Sequence, residues 1–118
     1  FPEAALVGYG TNCGNKLTPS ELGEAEMKIC AACKQHGIAA VVGTPHDGHN
    51  SAVLIERSGA IVGRQHKMML VPTDESWSKP GMQLNVFNLC GVPCAVIICH
   101  DKRYPELVRL PVMAGARL

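Results

Sequence analysis

Pro93-Cys94-Ala95-Val96-Ile97-Ile98-Cys99-His100-Asp101 is the stretch that decides how this chain folds. From Ala95 to Ile98 it is apolar at every position, so it reads as a strand covered on both faces, as in a sheet held between layers. It then turns into a helix expected from about Tyr104 or Pro105, with Pro111 expected to kink or shorten that helix. Strand, turn and helix follow one another here in that order. A cysteine where Cys99 stands is presented at a sheet edge, close to N–H groups that can stabilise a thiolate or an oxyanion. A single cysteine is also read more plainly as a small buried apolar residue.

Working outward, Leu84–Leu89 pairs with Pro93–Cys99 through a turn at Cys90-Gly91-Val92. Ser51–Glu56 and Ala60–Arg64 form a hairpin about Arg57-Ser58-Gly59, and Ile38–Gly43 is a further buried strand. Thr44–Asn50 reads as a polar loop, and Met68–Gly81 as a long connection of the kind that often carries function. Thr18 caps a helix with Pro19 in its first turn and Glu21 closing a capping box. That helix carries Leu22, Met27, Ile29 and Cys30 and stops at Gly37. No repeat or linker divides residues 1–118, so they form one domain.

Composition removes several function classes. The 11 Lys and Arg balance 10 Asp and Glu, and no basic block gives nucleic acid or an acidic membrane an electrostatic foothold. Aromatics are only 4% of the chain, which argues against base stacking. No apolar run reaches membrane-spanning length. The six cysteines could staple a small secreted domain, but the 47% hydrophobic content can build a core without them. They are expected to be reduced, in the cytoplasm.

If Cys99 is a nucleophile it needs a base. His100 is its neighbour, and adjacent strand residues point to opposite faces, so the imidazole is poorly placed. His36, His46, His49 and His66 show no pairing signal. Glu3, at the mouth of the apolar stretch Ala4–Val7, would suit a general base if desolvated; its plain reading is an exposed strand-end carboxylate. Lys67, ahead of Met68-Met69-Leu70-Val71, is either an ammonium aimed at a developing oxyanion or a side chain that snorkels to water.

Together these segments resemble the nitrilase superfamily of carbon–nitrogen hydrolases. Phe1-Pro2-Glu3 with Gly8-Tyr9 is similar to its glutamate motif. Gly63-Arg64-Gln65-His66-Lys67 with Leu70-Val71-Pro72-Thr73 is similar to its lysine motif, and Ile98-Cys99-His100-Asp101-Lys102-Arg103-Tyr104-Pro105-Glu106 to its cysteine motif. Gly43-Thr44-Pro45, Asn50-Ser51-Ala52, Pro80-Gly81 and Gly115-Ala116-Arg117 agree as well. Glu75, beside Asp74, matches a second glutamate that many members place next to the catalytic lysine; its plain reading is a solvated loop carboxylate.

The resemblance implies an α/β fold, an αββα sandwich, present as an incomplete N-terminal half that lacks the first strand and the C-terminal half. It implies a thioester mechanism with Cys99 as nucleophile, Glu3 as base, and Lys67 and the His100 backbone N–H as oxyanion donors. Glu75 would be an auxiliary group orienting Lys67 or the substrate. It implies no cofactor and no metal, a small-molecule amide or N-carbamoyl substrate, and a homo-oligomer. His100-Asp101 after the cysteine is more similar to the amidase and carbamoylase branches than to nitrile-cleaving members, which usually carry Trp-Glu there. The rival readings are a nitrilase, a metal-binding or redox module using Cys30, Cys33 and His36, and a non-catalytic association fragment.

Overall fold

The computed structural model describes residues 1–118. Its centre is an antiparallel sheet in the order β1 (Ala40–His46), β2 (His49–Ile55), β3 (Ile61–His66). Helix α1 (Pro19–His36) precedes it and lies across one face. The capping box is formed: Thr18 Oγ1 accepts from Glu21 N at 3.3 Å, and Glu21 Oε2 accepts from Thr18 N at 2.7 Å. Gly37 ends the helix at φ 62°, in the left-handed region that glycine enters without strain.

Strand parity assigns the two faces of the sheet. Val42 pairs with Val53 and Ala40 with Ile55, and these residues form the hydrophobic core with Cys33, against which Ile29, Cys30 and Leu6 pack. Met27, one of the apolar residues that α1 carries, is 72% exposed. The position that faces the sheet is Glu26, whose carboxylate takes both ends of the Arg64 guanidinium at 2.9 and 2.6 Å. A buried carboxylate matched by a bidentate arginine joins helix to sheet where hydropathy alone anticipates methionine.

The opposite face carries Gly43, Asn50, Ala52, Leu54 and Gln65, cross-strand neighbours of the same parity. Continued one step past β3, the same parity brings in Lys67, whose N–H donates to Asn50 O at 2.8 Å. Helix and core occupy one side, and the candidate chemistry the other.

The loop expected over Thr44–Asn50 is mostly strand. β1 continues to His46 and β2 begins at His49, with Asp47 and Gly48 turning the chain at φ 49° and 75°. Two positive φ values in a two-residue connection are the signature of a tight hairpin turn, which Asp-Gly favours. The polar character of Thr44, Asn50 and Ser51 does not mark a loop, because all three are buried.

The last strand pair is shorter than expected: β4 (Phe87–Leu89) pairs with β5 (Val92–Cys94) around Cys90-Gly91. Ala95–Ile98 continues without a ladder, and Ala95 N donates to Leu118 O at 2.9 Å. The Met68–Gly81 connection holds the four-residue helix α2 (Pro72–Glu75). After Ile98 a 3-10 turn spans Cys99–Arg103, followed by α3 (Pro105–Met113), a nine-residue helix with Pro111 inside it. No helix is long and apolar enough to cross a membrane.

The turn bearing Glu3 rests directly on β1. A Cβ on Gly43 would run into Pro2 O, Ala4 N at 2.6 Å and Glu3 Cα at 2.8 Å, and Leu6 N donates to Gly43 O at 3.4 Å. Only glycine lets that backbone come so close. Gly43→Ala is expected to cost about 1–3 kcal/mol, the usual penalty of overpacking, seen as a lower melting temperature. An unchanged melting temperature would show that the Glu3 turn is not seated on β1.

Candidate active site

Glu3, Lys67 and Cys99 reach the same region from three separate segments. Lys67 is completely buried. Its ammonium lies 2.7 Å from Glu3 Oε1 and 2.6 Å from Asp74 Oδ2, with the Tyr9 ring centroid 5.9 Å away. Burial acts against this charge, but hydrogen bonds to Asp74 and Glu3, and the charges of both, outweigh it and raise the lysine pKa. Lys67 is therefore a held cation and not a snorkelling one.

The second carboxylate on Lys67 is Asp74, which corrects the expectation for Glu75. Asp74 is fully buried and also accepts from Tyr9 Oη at 3.1 Å, Val71 N at 3.1 Å and Asn50 Nδ2 at 3.3 Å. Glu75 is exposed and borders a separate hollow with Met68, Met69, Leu70 and Tyr104. Within the single turn of α2, consecutive residues point in different directions, so only one of the two acids can face inward. Tyr9 leaves its ring partly in solvent, yet desolvation and the hydrogen bond to Asp74 push its hydroxyl pKa up to about 12.

Cys99 opens the 3-10 turn at φ 47°, a left-handed conformation uncommon for a residue with a Cβ. It shares a cavity of about 240 Å³ with Glu3, Gly43, Ala52 and Ile98. Partial burial pushes its thiol pKa up. Hydrogen bonding to Glu3 and the Glu3 charge push the same way, while Lys67 and Lys102 pull it down. His100 turns its ring edge-on to Tyr104, 5.6 Å between centroids, and its N–H is the first after Cys99, while Asp101 N is tied to Ile98 O at 3.1 Å.

Three residues of the site had no role in the sequence reading. Asp74 was named only as the neighbour of Glu75. Asn50, buried between Glu3 and Asp74, appeared only as part of a matching tripeptide. Asp101 is buried, and its carboxylate accepts from Met69 N at 2.7 Å, Met68 N at 3.2 Å and Ile98 N at 3.3 Å. It fastens the segment after Lys67 to the residue before Cys99. The available signal was a charged residue following a buried apolar run. By contrast, Cys33 is buried in the core and Cys30 packs beside it, so the Cys30, Cys33 and His36 set does not gather as a metal site.

The model of the carbon-nitrogen hydrolase family matches residues 1–118. The chain belongs to that family. A 2-oxoglutaramate amidase of Bacillus subtilis is 25% identical, aligned over 100% of this chain and 48% of its own length. A "hydrolase in agr operon" of Staphylococcus lugdunensis is 34% identical over 69% of this chain and 37% of its own. An amidase from Nesterenkonia sp. superposes with a TM-score of 0.89 at 24% identity, over 98% of this chain and 47% of that one. A Glu-to-Gln variant of the same amidase (TM-score 0.89, 23% identity, 98% and 47% coverage) shows covalent addition of the acetamide moiety of fluoroacetamide at its active site cysteine. The α/β fold of this chain is that of the nitrilase superfamily, and the chain spans about half the length of these amidases.

Asp101→Asn replaces one acceptor oxygen with a donor that faces backbone N–H groups. Hydrogen bonds to charged groups contribute about 1.5–3 kcal/mol, so a clear loss of thermal stability is expected. Alkylation of Cys99, followed by peptide mass spectrometry, should change in rate as the turn loosens. Unchanged values for both would remove Asp101 from the site.

Proposed function

We propose that the protein hydrolyses a carbon–nitrogen bond of a small amide or N-carbamoyl compound through a Cys99 thioester. The convergence of Glu3, Lys67 and Cys99 carries this reading. Glu3 takes the Cys99 proton as sulfur attacks the carbonyl carbon. Lys67 and the His100 N–H hold the resulting oxyanion. As the intermediate collapses, the C–N bond breaks and the Glu3 proton passes to the leaving nitrogen. Water, giving a proton to Glu3, then attacks the thioester; the acid leaves, and the proton returns to sulfur. Asp74 holds Lys67 in place. The covalent adduct on the cysteine of the Nesterenkonia amidase supports a thiol nucleophile.

Ammonia release from a panel of amides, N-carbamoyl amino acids and nitriles tests this. Cys99→Ala should abolish release. Glu3→Gln should lower it by about 10²–10⁴-fold, the usual contribution of a general base. Glu3→Gln also removes two influences that raise the thiol pKa, so the Cys99 titration, followed by ultraviolet thiolate absorbance, should move to lower pH. A more ionised thiol with lost turnover marks Glu3 as the proton carrier, whereas a near-normal rate in Glu3→Gln refutes that role. Release from nitriles alone would favour the nitrilase reading over the amidase one.

Homo-oligomerisation belongs to the same proposal. Val108, Leu110, Val112 and Met113 of α3 are 44%, 56%, 62% and 82% exposed, an apolar surface suited to burial against another copy. Light scattering should give a mass of at least two chains; a monomer would contradict this.

A further inference from the structure

Asn50 is the second residue of β2, and its side chain is completely buried. Its Nδ2 donates to Glu3 Oε1 at 2.7 Å and to Asp74 Oδ1 at 3.3 Å. Those two carboxylate oxygens dictate the amide orientation, since the reverse would aim an acceptor at two acceptors. The cost of this orientation is visible: Asn50 Oδ1 is buried with no hydrogen-bond partner. An apolar residue of similar size would not incur that desolvation. The amide is retained for its two donors.

The charges around it explain why donors are needed. Two carboxylates, Glu3 and Asp74, share one buried ammonium, Lys67. Tyr9 and Val71 N supply further donors to Asp74, whereas Glu3 accepts from Lys67 and Asn50, both on Oε1. The other titratable groups near the pair are the Cys99 and Cys13 thiols, with Lys102 and Lys16 acting from farther out.

We propose that Asn50 is a positioning residue for the Glu3 base. With Lys67 it occupies Oε1, holds the Glu3 carboxylate in place beside Asp74, and leaves Oε2 as the oxygen that receives the Cys99 proton. This rests on the function proposed above and deepens it.

The test is the pH dependence of kcat/KM for wild type, Asn50→Ala, Asn50→Asp and Gln65→Ala. Gln65 is a buried amide of the same sheet face that bonds Gln83 O and Asn85 N and touches neither carboxylate, so it controls for the loss of a buried amide in general. In Asn50→Ala the acid limb should move to higher pH by about one unit, with kcat down roughly tenfold or more and KM little changed, because two carboxylates then share the ammonium unaided. Asn50→Asp, a near-isostere that adds a third carboxylate, should lose more. Gln65→Ala should be less stable with its acid limb in place.

An acid limb unmoved in both Asn50 variants, or moved equally in Gln65→Ala, overturns the proposal. So does failure of both Asn50 variants to fold while Gln65→Ala folds, which would make Asn50 a scaffold residue. The underlying function fails separately, through Cys99→Ala or Glu3→Gln variants that keep wild-type rates.

Discussion

The Lys67 ammonium, buried between Glu3 and Asp74, is the interaction on which the site depends. A buried charge without partners is severely penalised, so this lysine requires both carboxylates to come inward. Each then imposes its own demand. Glu3 needs the turn that Gly43 admits, and Asp74 needs the short helix after Val71. Asn50 and Tyr9 supply the donors left over once one ammonium has been divided between two acids.

Around this cluster the sheet acts as a partition. One set of alternate positions packs on α1 through Val42, Val53 and Cys33, and the other set presents Gly43, Asn50 and Lys67. A one-residue register slip in β2 or β3 would move the polar set into the core and the apolar set into the site. The Asp47-Gly48 turn and the Glu26–Arg64 pair therefore help to set the position of this cluster, though neither touches Glu3, Lys67 or Cys99.

Cys99 is connected to the lysine by an independent route. Asp101 accepts hydrogen bonds from the backbone on both sides of the divide, at Met68, Met69 and Ile98. The turn that presents the thiol is thus referred to the same segment that presents the ammonium. Under the proposed function such placement matters, because small displacements between nucleophile, base and oxyanion donors are costly in rate.

Much of this was legible in the sequence where a feature is local. The Thr18–Glu21 capping box, the Gly37 stop and the Arg57-Ser58-Gly59 turn depend on a few adjacent residues, and they form as read. The order of Glu3, Lys67 and Cys99 was legible through family resemblance, and the family itself is confirmed along the whole chain. What the tertiary structure decided are the partners: Asp74 rather than Glu75 on Lys67, Asn50 between the acids, Asp101 across to Met68, and Glu26 toward Arg64 on the sheet. Hydropathy assigns a polar side chain to solvent by default. Only the folded chain shows which of them have a complementary charge or donor waiting inside, because those partners lie tens of residues away.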